Sequence, residues 1–276
     1  MEKVNFFYNV CLYKLNPTIM NFKNLKDRMN YYRDLADHKL LPGTPVMIMI
    51  DGKNFSRKIK NKFNLPFDTD FMEAMNQTAK YICENIQGIK FAYTQSDEVS
   101  FIITDYDTST TDAPFGYRMC KLQSIIASMA TAKFNQIMMA RYLRDTESSS
   151  IMDAPLYEFD CKAWNVPTEN DAFAWILYRQ IDCVRNSKQQ AAQTYLSHSQ
   201  LLGKSTDEQI DLLKETKGID WNTDYSSGEK FGRFIYRTEV QVREDLIRSK
   251  WIIEDAVQLF EDGGKDKFIS ITNLGK

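Results

Sequence analysis

Histidine is nearly missing from this chain: His38 and His198 are the two in 276 residues, and neither sits in a Ser/His/Asp setting. Chemistry built on an imidazole base or nucleophile is therefore disfavoured. Cysteine is sparse and scattered. Cys11, Cys83, Cys120, Cys161 and Cys183 are odd in number and form no CxxC pair, which argues against a disulfide framework or a zinc site. No run approaches the roughly 18–20 consecutive apolar residues that span a bilayer. The opening stretch, MEKVNFFYNVCLYKLNPTIMNF, has neither a continuous apolar segment nor a small-residue cleavage site, so a cytoplasmic protein without a membrane partner is expected. An excess of one charge is lacking too. The net charge is −2, so any contact with nucleic acid needs a local basic surface.

What is present is a core. Hydrophobic residues make up 43% of the chain, with no internal repeat and no low-complexity segment. Residues 22–38 read as a charged amphipathic helix. PVMIMI at 45–50 is a continuous apolar run, the mark of a buried strand, and Asp51-Gly52 comes after it as a turn. Helical spacing of Phe71, Met72, Met75, Ala79 and Ile82 predicts a helix over 68–87, with Asp68 as its cap. Two β-rich runs, 89–94 and 98–104, flank Gln95-Ser96-Asp97-Glu98 and read as a hairpin. A helix over 117–142, a strand near 155–160 and a helix over about 170–195 come next. Segment 197–232 is polar with short helical pieces, 231–237 reads as a strand, 240–262 is mixed, and the last dozen residues are expected to fray.

The order strand, helix, strand, strand, helix, strand predicts an α+β chain with a split βαβ, ferredoxin-like sheet and helices on one face. This is the palm layout of many polymerases and cyclases. The expected division is an N-terminal extension over 1–21, a palm over 22–168, and a helical or mixed C-terminal region over 169–276. In such a sheet the first strand neighbours the middle hairpin, so Asp51 and Asp97 can project from one edge. Two carboxylates suit a hard divalent cation that keeps several waters, and a pair of such ions activates a hydroxyl and stabilises a leaving oxygen. Gly52 would leave its carbonyl free to turn toward a metal. Spacing alone favours a plainer alternative, an ordinary turn and a solvated hairpin tip, because turns are rich in Asp and Gly. Glu98 reads as a third ligand, a supporting group or a surface charge.

The surrounding words narrow this. IDGKNFSR (50–57), YTQSDEVSFI (93–102), RMCKLQSIIASMATAKFN (118–135) and FDCKAWNVP (159–167) occur in this order. With RQIDCVRNSKQQAAQ (179–193), HSQLLGKST (198–206) and KGIDWN (217–222), they make the chain resemble the tRNA-His guanylyltransferase superfamily over roughly residues 22–260. The later stretches resemble its bacterial and archaeal-type Thg1-like proteins more than the eukaryotic enzymes.

The resemblance implies a palm holding two Mg²⁺ ions through Asp51, the Gly52 carbonyl and Asp97, with Glu98 beside them. It implies template-dependent 3′-to-5′ nucleotide addition to the 5′ end of tRNA, with ATP activating a 5′-monophosphate and GTP among the nucleotides added. A homo-oligomer, a tetramer in relatives, is also implied. Nucleotide contacts would come from Lys53, Asn54, Phe55, Ser56, Asp68, Ser96, Arg118 and Lys121. The last two share a helix face by their i, i+3 spacing. RNA contacts would come from Arg179, Arg185, Asn186, Ser187 and Lys204, residue types that suit phosphate and sugar. The plain alternatives are a helix cap for Asp68 and solvated faces for the basic residues.

Departures from the family pattern are Met49 for Arg, Ser56 for His, Leu65 for Lys and Lys162 for Arg. VRNSKQQ (184–190) stands in place of HINNLYN, which favours 5′-end repair over addition to tRNA-His alone. Family members tend to begin near Met20, so residues 1–19 are expected to be an extension. The competing readings are a palm-type nucleotide cyclase or signalling synthase and a non-catalytic tRNA-binding relative.

Overall fold

The computed structural model describes residues 22–55, 63–108, 110–146, 150–243 and 246–274. The segment 1–21 and Ser56 therefore lie outside the described residues. Among those described, no helix is long and apolar enough to cross a membrane.

The apolar run at 46–50 does form a strand, but it continues further: β1 is Val46–Gly52 and includes Asp51. Asp51 is thus a sheet residue, opposite Glu98 on one neighbour and Asp160 on the other. Helix α1 (Leu25–Asp34) precedes β1 and buries no residue. It is shorter than the 22–38 expected from charge patterning. Helix α2 is Thr69–Asn85, capped by the Asp68 carboxylate, which accepts from the Phe71 N–H. Strands β2 (Ile89–Gln95) and β3 (Glu98–Ile103) form the hairpin. Helix α3 (Met119–Thr146) leads to β4 (Phe159–Asn165).

These strands stand in the order β4-β1-β3-β2, all antiparallel, which is the split βαβ sheet expected from the element order. The sheet then grows. Strand β5 (Arg233–Arg243) pairs with β2, and β6 (Leu246–Asp255) pairs with β5. The mixed reading of 240–262 is thereby corrected: its first half completes a long hairpin.

Helices cover both faces, not one. On the first face, Val46, Ile48, Ile50, Val99 and Phe101 pack against α2 and α3 through Ala74, Ala79, Leu122 and Phe134. On the second, Met47, Ile102, Phe91 and Tyr93 pack against α4 (Glu169–Tyr195) and the C-terminal helices. Short helices α5 (His198–Leu201), α6 (Thr206–Lys217), α7 (Trp221–Asp224) and α8 (Ser227–Phe231) connect α4 to β5. The reason is legible in β1 itself: a strand apolar at every position from 46 to 50 needs cover on both sides. Up to Leu274 the described C-terminal residues are docked, against the expected fraying. Helix α9 (Gly264–Thr272) buries Phe268, whose ring centroid lies 5.2 Å from Phe91 and 5.1 Å from Phe173.

Candidate active site

The two carboxylates meet because a tight turn is latched to a strand end. Ser96 and Asp97 link β2 to β3, with Ser96 in the left-handed region at φ 46°. The Asp97 carbonyl accepts a hydrogen bond from the Gly52 N–H at 3.1 Å, and the Lys53 N–H donates to the Glu158 carbonyl at 2.8 Å. Gly52 has a reason other than the one expected. A Cβ there would fall 2.3 Å from the Phe55 ring, so a side chain is excluded by packing.

Phe55 is 2% exposed and sits in an aromatic cluster with Phe71, Phe134, Tyr157 and Phe159. It is a core residue, which corrects its expected place against a nucleotide. Lys53 and Asn54 are exposed on the turn, and Asn54 has φ 59°.

The electrostatics fit a cation. Burial and the repulsion of Asp51 push the Asp97 carboxyl up to about 6. Asp51 is itself raised, by burial and then by Asp160, while Lys162 and Arg179 oppose the shift. Carboxylates raised by burial and by a neighbouring carboxylate, Asp51 for Asp97 and Asp160 for Asp51, are unfavourable when ionised, and a divalent ion removes that penalty. Among the described residues no three or more His, Cys, Asp or Glu side chains converge as a closed metal cage. The donor set is instead two aspartates and the backbone about Gly52, which suits a hard ion that keeps waters and takes further oxygens from a substrate.

Glu98 has a different role. Its two carboxylate oxygens accept from Arg179 of α4, Nε at 2.7 Å and Nη2 at 2.6 Å, and Gln95 donates to it at 3.5 Å. Burial raises this carboxyl and the guanidinium opposes that rise. Glu98 is therefore occupied as a brace between β3 and α4, and Arg179 is spent on it. This corrects Arg179 as an open RNA contact, and of the three readings of Glu98 the pairing favours the supporting group.

A cleft of about 270 Å³ opens beside the aspartates. Of the residues expected at the site, Asp51, Ser96, Asp97, Glu98, Asp68, Arg179, Asn186 and Ser187 line it. Asn186 and Ser187 share a wall with Arg179, Cys183 and Gln190, because positions three and four apart fall on one face of α4. The loop Phe63–Phe67 with Phe71 and Met72 also lines the cleft, joined to α4 by a hydrogen bond that the Gln190 amide donates to the Pro66 carbonyl. Asp68 stands there with both oxygens engaged, by the Asn64 and Phe71 N–H groups and by Arg141 at 2.6 and 2.9 Å. These partners hold its carboxyl below the ordinary value despite burial. Asp68 thus shapes the wall and caps α2.

Other expected residues are elsewhere. Arg118 and Lys121 sit at the start of α3, at the end of the sheet where β1 begins. The two ends are about 17 Å apart at the usual strand rise. Arg118 pairs with Asp37 at 2.6 Å, and the Lys121 Nζ lies 5.9 Å from the Phe115 ring centroid. The i, i+3 spacing did put them on one surface, but not this one. Arg185 is exposed and pairs with Asp182. Lys204 is exposed beyond α5, at a separate cavity with His198 and Gln209. Gln190 and Arg233 line the cleft without having been singled out. Arg233 left a trace, a charge placed inside the apolar strand FGRFIYR.

An antiparallel palm with two aspartates at the tip of its central strands, facing a cleft, defines a nucleotidyl-transfer class of site. The family model described as tRNAHis guanylyltransferase matches residues 26–167, and the chain belongs to that family. A bacterial tRNA(His) guanylyltransferase (Thg1)-like protein solved in complex with ATP is 35% identical, with a TM-score of 0.75, over 88% of this chain and 95% of that one. Another such bacterial structure, in complex with GTP, is 33% identical with a TM-score of 0.70 and the same coverage. The tRNA(His) guanylyltransferase of Debaryomyces hansenii is 25% identical over 79% of this chain and 83% of its own length. For tRNA(His) guanylyltransferase 1 of Arabidopsis thaliana the figures are 28%, 68% and 33%. The chain thus spans about a third of the length of that plant relative.

Proposed function

We propose that this protein is a template-dependent 3′-to-5′ nucleotidyltransferase that adds nucleotides to the 5′ end of tRNA. The observation that carries this reading is the pair Asp51, at the end of β1, and Asp97, in the β2–β3 turn latched to it, both lining the cleft. Family membership supports the reaction class, and the relatives solved with ATP and GTP support nucleoside triphosphates as substrates.

On this reading an oxygen of the RNA 5′-phosphate attacks the α-phosphorus of ATP and expels pyrophosphate. The 3′-hydroxyl of an incoming nucleoside triphosphate then attacks the activated 5′-phosphorus and expels AMP. Asp51, Asp97 and the Gly52 carbonyl would hold Mg²⁺, whose bound charge lowers the barrier to phosphoryl transfer. The protein's own residues position the reactants. The hairpin latch fixes where the aspartates stand, the Glu98–Arg179 brace fixes α4 against β3, and Asn186 and Ser187 present polar groups from that helix. The apolar wall of Phe67, Phe71 and Met72 gives a base a surface to pack on. A homo-oligomer, a tetramer by resemblance, acting in the cytoplasm belongs to the same proposal.

The test is incubation of 5′-truncated tRNA carrying a 5′-monophosphate with ATP, GTP and Mg²⁺. Longer RNA with release of AMP is the expected result. No extension on any truncated tRNA would overturn the reading, and a cyclic nucleotide formed without RNA would replace it with a cyclase.

A further inference from the structure

Two arginines line the cleft, and they differ in what satisfies them. Arg179 spends its fork on Glu98 and also meets Asp182. Arg233, at the start of β5, is 4% exposed. Its Nε donates to the Asn76 side-chain oxygen at 3.0 Å and its Nη1 to the Gly228 carbonyl at 3.1 Å. Its Nη2 is buried and has no hydrogen-bond partner among the described residues. Both of its partners are neutral. Asp255 stands opposite in the β5–β6 register, and Arg233 and Asp255 form no ion pair among those found between described residues.

A purely structural arginine at such a place is expensive. Taking a guanidinium out of water costs several kcal/mol unless an anion compensates it, and an unmade hydrogen bond adds to that cost. Tying α8 to α2 needs no charge, because an amide side chain makes the same two neutral bonds. Asp255 and Glu73 attract the charge without bonding to it, but burial still outweighs them, so they do not supply the whole counter-charge. A ligand oxyanion can do so, and it supplies the missing acceptor as well.

We propose that Arg233 is a phosphate-binding residue of this cleft, its open Nη2 donating to a phosphate oxygen of the substrate. The inference rests on the cleft being the nucleotidyl-transfer site. The phosphate belongs either to a nucleoside triphosphate or to an RNA 5′ end, and the two sources are separable by probe. Because Nη2 is closed to water, the contact forms only as side chains of the cleft wall shift to admit the phosphate oxygen.

The test measures binding of inorganic tripolyphosphate, which has no base and no RNA, beside a 5′-monophosphorylated oligonucleotide and its 5′-hydroxyl counterpart. Intrinsic tryptophan fluorescence or calorimetry on the full chain reads each affinity, with Mg²⁺ present. Arg233→Met is expected to weaken one phosphate probe roughly ten- to hundredfold, the range for a lost hydrogen bond to a charged group. Loss for tripolyphosphate assigns the nucleotide, and loss confined to the 5′-phosphate oligonucleotide assigns the RNA end. Arg233→Lys is expected to restore part of the lost affinity. Wild-type affinity for both probes in folded Arg233→Met overturns the proposal.

Should the methionine variant not fold, the wild-type chain answers by itself. In ¹⁵N-arginine spectra, the Nε–H signal absent from Arg233→Lys should move when phosphate probes are added, and a signal unmoved by either overturns the proposal. These readouts do not depend on RNA extension. A chain that binds phosphate through Arg233 but extends no RNA would overturn the proposed function alone.

Discussion

Asp97 is where the chemistry of a single side chain is most exposed to test. Its carboxyl is pushed up to about 6, above the ordinary carboxylate value, chiefly by burial and then by Asp51. Between pH about 4 and about 6 the folded chain therefore keeps a proton that the unfolded chain has released. Metal-free stability accordingly falls as pH rises through that window. Asp97→Asn should reduce this slope in thermal melts, leaving the part due to Asp51 and Glu98, and raise metal-free stability at pH 7 by about 1–2 kcal/mol. Cation binding has the opposite sign, because the ion needs the carboxylate. Extension of truncated tRNA should therefore rise from pH 5 to pH 7. Both Asp51→Asn and Asp97→Asn should reduce extension by at least about a thousandfold while the fold is retained, if two carboxylates carry the metal charge. A variant with Asn at either position that extends RNA at the wild-type rate would remove that aspartate from the reaction.

Between elements, the pairing of Glu98 and Arg179 joins residues 81 apart in sequence. Both side chains are mostly buried, so losing one partner leaves an uncompensated charge. Arg179→Met should destabilise the chain by about 3–5 kcal/mol in denaturant titrations. The double variant Glu98→Leu with Arg179→Met should recover much of that loss; equal destabilisation by the single and the double change would show that the brace is unimportant. Helix α3 offers the reverse prediction. Arg118 and Lys121 stand at its start, at the end of the sheet away from the aspartates, so replacing both by alanine should leave tripolyphosphate affinity within about twofold, a change small against the roughly 1.4 kcal/mol of a tenfold effect. A tenfold loss would put a phosphate at that end.

For the molecule as a whole, the sheet separates two cores, and the C-terminal half completes the second. Phe268→Ala, in the last helix, should cost about 3–4 kcal/mol because its ring is buried against Phe91 and Phe173. A melt unchanged by this substitution would show that α9 does not hold the sheet.

Much of this architecture could be read from local pattern. The continuous apolar run at 46–50 and the β-rich run at 98–104 marked the central strands, and the periodic segment capped by Asp68 marked α2. The aspartate pair was legible through its neighbouring words more than through its spacing. What local pattern could not convey is long-range. The spacing of Arg118 and Lys121 sets a helix face but not which end of the sheet it meets. Phe55 comes just after a turn, yet its ring finds four aromatic partners brought from other elements. Arg233 meets Asn76 across 157 residues.

The Gly52 N–H bound to the Asp97 carbonyl has one more consequence. Because a main-chain bond sets the distance between the two carboxylates, their mutual repulsion is met when the sheet assembles and not when an ion arrives. The seat is preorganised, and the cation enters a place whose unfavourable crowding it relieves. Folding does the gathering; binding releases the tension.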